Sequence, residues 1–380
     1  MDYLPLHSPL FKQLNGWIRA RRIDYLSNAT SLFTPACHGV FEMTVLRQVQ
    51  AFFKKSDAFG TDEERLAVAK ASFYESEAIC AVTNRRLETF YSENHGIKHG
   101  IRQEHTWLSD KISKMEKYIS STLGDFVSFR DTLPRRLRVT GGATSTRSRR
   151  SAVPFMKVHH RATCSSRAQP YVLACAKFFG YKVRPTVCNW NRVEFVPKDW
   201  KTDRTIACEP DWNVPFQLAF DDYAKSRLKR RGIDLSDQSR NQELARLGSI
   251  GNHLATIDLK SASDRVAFNA VALLFPTEWL QYLADLRSPY YRVGTNAFGR
   301  YEKFSSMGNG TTFVIETLIF AAACAALRPE TYSVYGDDII IDADKVTELR
   351  ALLAFLGFTF NHTKNLFQRA LSRVLRDGLV

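Results

Sequence analysis

From Glu63 to Phe90 apolar residues recur at helical spacing, and a start signal stands just before them. Thr61 precedes Glu64 by three residues, the spacing of a capping box, and Ser56 to Gly60 reads as the loop leading in. Residues 1 to about 130 read as mostly helical on this pattern. Short β-runs follow: two flank a turn between Arg192 and Pro210. A helix is expected from Phe216 to Arg231, basic in its C-terminal half and ended by Gly232. Leu254 to Leu259 reads as an apolar strand, and the run Phe313 to Leu327 as a buried helix. That run carries Glu316 and Thr317 and is too short for a comfortable membrane span. Ser333 to Ile341 reads as a tight hairpin with Gly336 and Asp337 at its tip. An amphipathic helix over 345–356, a stop at Gly357 and a strand over Phe358 to Phe360 complete the pattern.

Several of these elements end on groups that carry chemistry. The Gly336 hairpin lifts Asp337 and Asp338 off a rigid base. Adjacent carboxylates repel unless a cation stands between them, and a divalent ion that also binds phosphate is the natural one. A solvated turn is the plainer alternative. The strand 254–259 delivers Asp258 at its end, and a turn of small residues then places Asp264, which could instead cap a helix starting near Arg265. Lys198, Lys201 and Arg204 sit on the hairpin between Arg192 and Pro210. Three cations on one side suit a triphosphate, although a basic surface hairpin looks the same. Ser305 to Thr312 is a glycine-bracketed loop that lets backbone approach a ligand while Ser306 and Asn309 supply hydrogen bonds. His95, His99 and His105 read as surface residues and not as metal ligands.

Charge sharpens the picture. Lys plus Arg number 53 against 39 Asp plus Glu, a net charge of +14 with 44% of residues hydrophobic. A polyanionic partner, most simply nucleic acid, is expected. Six arginines between Arg135 and Arg150 surround Thr140 to Thr146, which reads as a mobile loop donating to phosphates or as a solvated basic linker. The seven cysteines form no CxxC pair and read as reduced thiols without a zinc site. The N-terminus lacks the pattern of a signal peptide.

The order of the motifs is more specific than any one of them. Asp258-Leu259-Lys260-Ser261-Ala262-Ser263-Asp264, then Ser305-Ser306-Met307-Gly308-Asn309-Gly310, then Val334-Tyr335-Gly336-Asp337-Asp338-Ile339-Ile340 resembles the palm of viral RNA-directed RNA polymerases. The details are similar to the replicase β subunit of single-stranded RNA bacteriophages, the leviviruses. Ile233-Asp234-Leu235 with Asp237-Gln238, and Asp285-Leu286-Arg287-Ser288-Pro289, add to the likeness, which runs from about Gly141 to Lys364.

The resemblance implies an α+β right-hand fold with fingers and an antiparallel, ferredoxin-like palm. The expected division is 1–225 for the N-terminal and fingers region, 226–364 for the palm and 365–380 for a divergent tail. It implies RNA-templated RNA synthesis with two Mg2+ ions, or Mn2+, held by Asp258 and Asp337 with Asp338 beside them. Lys198, Lys201 and Arg204 would face the incoming triphosphate, and Asp264, Asn309 and Ser306 the ribose 2′-hydroxyl. Lys364 is either a general acid for pyrophosphate or a surface lysine. Implied partners are RNA, ribonucleoside triphosphates, host elongation factors Tu and Ts and a host ribosomal protein, in the bacterial cytoplasm and away from membranes. A reverse transcriptase shares the palm, but a bulky aromatic would be expected where the small run ending in Asp264 stands. An RNA-binding protein without catalysis fits the charge equally well, yet leaves the acidic strand ends unexplained.

The likeness breaks at Asn365. The family continues with Lys-Thr-Phe and then Gly-Pro-Phe-Arg-Glu-Ser-Cys-Gly. Codons can be written for Gln368 to Arg376 that read Ser-Gly-Pro-Phe-Arg-Glu-Ser-Cys-Gly one frame over. One extra base in an A-run at codons 364–365 would account for the departure, leaving the thumb missing and apolar palm surface exposed. Resequencing that region decides it.

Overall fold

Helix α1 (Asp62–His95) begins where the capping box places it. The Thr61 N–H donates to Glu64 Oε2 at 2.9 Å, and the Glu64 N–H donates to Thr61 Oγ1 at 3.2 Å. The computed structural model describes residues 61–95, 103–199, 201–295 and 297–361. The remaining helices are α2 (Gln103–Leu123), α3 (Phe126–Arg136), α4 (Pro154–Lys157), α5 (Gln169–Phe178), α6 (Asn213–Lys229), α7 (Ser239–Gly251), α8 (Phe268–Leu274), α9 (Thr277–Leu286), α10 (Thr312–Ala326) and α11 (Val346–Phe355). Asp125 caps α3, its carboxylate accepting from the Val127 and Ser128 N–H groups.

Three small sheets lie among these helices, an α+β arrangement. β1 (Thr163–Cys164) and β2 (Thr186–Val187) pair in parallel. β3 (Trp190–Asp199), β4 (Thr202–Cys208), β6 (Tyr290–Val293) and β7 (Ala297–Arg300) form a sheet in the order β4-β3-β6-β7. β5 (Leu254–Ile257), β8 (Tyr332–Tyr335) and β9 (Asp338–Asp342) form an antiparallel sheet in the order β5-β9-β8. Phe360 bridges Leu259 in the antiparallel sense, which lays residues 359–361 along the continuation of β5.

Helix α10 is the centre of the molecule. Every residue from Val314 to Cys324 is buried, Glu316 and Thr317 included, in an otherwise apolar run. One continuous core reaches from Cys80, Leu87 and Phe90 of α1 to Phe358 and Phe360. Around Trp279 the rings of Phe126, Phe129, Phe220 and Tyr223 pack within 6 Å, most of them tilted or edge-on. A second, smaller core of Phe73, Val193, Val293 and Tyr301 fixes α1 to the four-stranded sheet. Position 225 lies inside α6, whose buried face belongs to the main core.

Two expectations are corrected here. The arginine loop is pinned, not mobile: Thr144 Oγ1 donates to Asp211 Oδ1 at 2.7 Å, Ser145 Oγ to the Cys208 carbonyl at 2.9 Å, and Arg147 Nε to Asp211 Oδ2 at 3.3 Å. Thr144 and Ser145 are buried, so their hydroxyls hold the loop to the fold and do not reach phosphate. Asp264 does not cap a helix either, because α8 starts only at Phe268 with Ala267 before it. The six described cysteines are free thiols, and no described helix is long and apolar enough to cross a membrane. His99, Lys364, the departure at Asn365 and the loop Ser56 to Gly60 lie outside the described residues, as do the side chains of His95 and His105.

Candidate active site

The pairing of β5 with β9 sets Ile257 opposite Ile339. Continued by one residue, the same register puts Asp258 across from Asp338. Asp337 stands one position further, at the hairpin tip between β8 and β9. Gly336 has φ +61° while Asp337 does not enter the positive region, the signature of a II′-type turn with glycine first. A Cβ at Gly336 would come within 2.3 Å of Phe313 Cε2, so the glycine lets the tip sit directly on the first turn of α10. Behind the tip, Asn241 Nδ2 donates to the Asp338 carbonyl at 3.1 Å and Asn241 Oδ1 accepts from Ser333 Oγ at 2.5 Å.

Asp337 and Asp338 are exposed, and Asp258 is half-buried. Asn361 donates to Asp258 twice, from Nδ2 to Oδ2 at 2.8 Å and from its N–H to the carbonyl at 2.8 Å. The sheet therefore brings the three aspartates to one end. As placed, no three His, Cys, Asp or Glu side chains among the described residues close into a metal-ligand set. The donor chemistry nevertheless suits Mg2+, which takes one or two carboxylates and fills its remaining positions with water and phosphate oxygens.

Glu316 is a site residue beyond those the sequence points to. It lies on α10, 2% exposed, and Ser263 Oγ donates to its Oε2 at 2.7 Å. Burial, with the negative charges of Asp337 and Asp264 adding to it, pushes its carboxyl up to about 8. The sequence signal for it is a lone acid in an otherwise apolar run. A carboxyl raised in the fold keeps its proton where the unfolded chain has lost it. Its contribution to stability is thus complete below the unfolded value of 4.5 and is lost as pH rises through about 8. In metal-free buffer Glu316→Gln should therefore gain stability relative to the parent as pH goes from 5 to 8, read from paired denaturant titrations. A difference that stays flat across that window would contradict the protonated assignment.

Asp264 lies one short turn beyond Asp258 and is held from below. Lys303 Nζ donates to Asp264 Oδ1 at 2.8 Å and stands 3.5 Å from Glu77 Oε1 of α1. Lys303 is fully buried, with Nζ 4.3 Å from the centre of the Phe73 ring. Burial lowers its affinity for the proton, but Asp264 and Glu77 outweigh that and raise it above the ordinary lysine value.

The glycine loop packs on β4. Gly308, at φ +107°, brings backbone against that strand: an added Cβ would lie 2.4 Å from the Ala207 carbonyl. The Ala207 N–H donates to the Met307 carbonyl at 2.7 Å. Asn309 is buried, its Oδ1 accepting from the Thr311 N–H at 2.9 Å and Oγ1 at 2.7 Å, and Ser306 is 1% exposed. Both residues shape the loop from inside. Lys198, Lys201 and Arg204 are exposed on the β3–β4 hairpin, as the sequence implies, but in a sheet separate from that of the aspartates. The Gly308 contact is the mechanical link between them: β4 backs the loop, the loop starts α10, and Phe313 of α10 seats the Gly336 tip.

Comparison with known proteins shows the family. The family described as RNA replicase, beta-chain, matches residues 20–370. The chain is 38% identical over 341 residues to the RNA-directed RNA polymerase subunit beta of Escherichia virus Qbeta, covering 87% of this chain and 56% of that protein. It is 42% identical over 316 residues to the corresponding subunit of Enterobacteria phage SP, with 80% and 53% covered. Against the RNA-directed RNA polymerase beta chain of Escherichia phage MS2 it is 36% identical over 266 residues, with 66% and 49% covered. The chain spans about half the length of the curated relatives it matches.

Proposed function

The chain belongs to the RNA replicase β-chain family, and on that premise we propose that it carries the palm and fingers elements of a template-directed RNA polymerase of a bacteriophage. The observation that carries this reading is the β5–β9 register, which sets Asp258 across from Asp338 beneath the Gly336-Asp337 tip. The antiparallel β5-β9-β8 sheet, the extended segment 359–361 and the helices α10 and α11 support a ferredoxin-like palm. The basic β3–β4 hairpin and the long α1 supply the fingers side.

Asp258 and Asp337, with Asp338 beside them, are the residues that would hold two Mg2+ ions, Mn2+ serving as a substitute. Bound there, the ions supply charge neutralisation at the attacking and leaving oxygens of phosphoryl transfer. The chain's own groups do the rest. Lys198, Lys201 and Arg204 take up the triphosphate charge, and their exposure leaves them able to follow it. Asp264 accepts a hydrogen bond from the ribose 2′-hydroxyl, in an orientation that Lys303 fixes, while Asn309 and Ser306 hold the loop that closes the sugar side. The 2′-hydroxyl is the group that separates ribonucleotides from deoxyribonucleotides. Host elongation factors Tu and Ts and a ribosomal protein, in the host cytoplasm, are the partners this reading brings with it.

Incorporation of labelled ribonucleotide directed by an RNA template tests the proposal: product complementary to the template and dependent on Mg2+ is expected. RNA binding without incorporation would leave only a binding protein. Asp264→Ala is expected to lower the ratio of ribo- to deoxyribonucleotide incorporation about ten-fold, the worth of one charge-assisted hydrogen bond, with template affinity little changed. An unaltered ratio would reject the sugar role.

A further inference from the structure

One part of the molecule has no place in the palm chemistry. Between Asp131 and Glu194 the chain carries thirteen lysines and arginines and no aspartate or glutamate. Much of the loop 144–147 is tied into the fold, but the stretch after it builds a surface of its own. Helix α5 ends in a Schellman cap: the Gly180 N–H donates to the Lys177 carbonyl at 3.1 Å and the Tyr181 N–H to the Ala176 carbonyl at 2.8 Å, with Gly180 at φ +74°. The chain then turns back along residues 160–164, with the Arg184 N–H on the His160 carbonyl at 2.8 Å and the Cys188 N–H on the Cys164 carbonyl at 2.7 Å. Val172 on the opposite side of α5 is in the main core, so the platform is rigid.

What this platform presents is unusual for a soluble surface. Phe178 and Tyr181 are each 70% exposed, and Leu173 and Phe179 are exposed beside them. Leu173 and Tyr181 line a cavity of about 550 Å³, next to Phe178, whose charged lining among the described residues is Arg161, Lys177, Lys182 and Arg184, with no carboxylate. A Schellman cap ordinarily folds its residue after the glycine back onto the helix. Here the same cap holds an aromatic ring out in solvent among four cations. Exposed rings at a groove whose described charged lining is all positive are the two components of single-strand nucleic-acid binding: cations track the backbone and rings stack on bases.

We propose that the α5 cap and the cavity beneath it form a binding site for single-stranded RNA, separate from the palm aspartates. Phe178 and Tyr181 stack on unpaired bases, and Lys177, Lys182 and Arg184 contact the adjoining phosphates. Duplex RNA has its base faces covered and gains only the charge term. The site thus favours a strand before pairing or after separation.

Binding of a fluorescent oligouridylate and of an RNA duplex of the same length to the full chain tests this. Phe178→Ala/Tyr181→Ala is expected to weaken oligouridylate binding about ten-fold or more and to erase the preference over duplex. Lys177→Ala/Lys182→Ala/Arg184→Ala should reduce the slope of log affinity against log salt by about 2, three phosphate contacts at ~0.7 each. A 4-thiouridine-substituted strand should cross-link to the peptide containing Tyr181. All five side chains are exposed, so unchanged thermal unfolding is the control for folding. Unchanged oligouridylate affinity and preference in the aromatic variant, with cross-links confined to other peptides, would overturn the RNA assignment and point to a protein partner on this face. None of these readouts needs nucleotide addition, so this inference and the palm reading stand or fall separately.

Discussion

Asp337→Asn should cut nucleotide addition by about 10³-fold, while RNA affinity changes by less than about two-fold. The substitution keeps shape and removes one of the charges expected to bind the ions, whose transition-state contribution is several kcal/mol at 1.36 kcal/mol per decade of rate. Asp337 is exposed at a turn that Gly336 and Phe313 define, so the fold does not depend on its charge. RNA affinity, by contrast, rests on a chain with net charge +14, to which one carboxylate more or less matters little. Single-turnover extension of a primed template, measured beside RNA binding by the same preparation, separates the two effects. Parental rates in the variant would remove Asp337 from the metal site.

Lys303→Met is the substitution expected to harm the fold most. It leaves Asp264 and Glu77 facing each other without the ammonium that both now approach. Breaking a buried pair by deleting one partner costs about 3–5 kcal/mol, because the surviving charge stays desolvated. Methionine fills most of the lysine volume, so little of the loss comes from a cavity. Denaturant unfolding of Lys303→Met, alone and together with Glu77→Gln and Asp264→Asn, measures it. The triple variant should regain much of the stability lost by the single one. A loss below about 1 kcal/mol for Lys303→Met would mean that water or a rearranged side chain replaces the ammonium.

Why the sequence revealed some of this and concealed the rest follows from the range of each interaction. The Thr61–Glu64 box, the Gly336 turn and the β3–β4 hairpin are set within a few residues, and all three stand where the pattern puts them. The acidic strand ends were legible for the same reason. Their joining is legible only through the family resemblance and not from local pattern: it depends on β5 pairing with a strand more than eighty positions away, Leu254 with Asp342. Lys303 could not be read as a partner of Glu77, since α1 meets that lysine only through the folded core. That Asn309 Oδ1 also accepts from the Thr311 N–H, and that Gly308 packs on β4, depend on the folded loop and do not show in its glycine-bracketed sequence. Glu316 was visible as an acid in an apolar helix, but what it faces is set by the Asp258–Asp264 turn and by the hairpin tip together.

Mn2+ titration followed by electron paramagnetic resonance, with a non-hydrolysable ribonucleoside triphosphate present, tests the metal-site claim most directly. Two ions should bind close enough to couple magnetically, as in two-metal phosphoryl-transfer sites, and Asp258→Asn should abolish the coupled signal. A spectrum showing only nucleotide-bound Mn2+, the same in the parent chain and in Asp258→Asn, would contradict it.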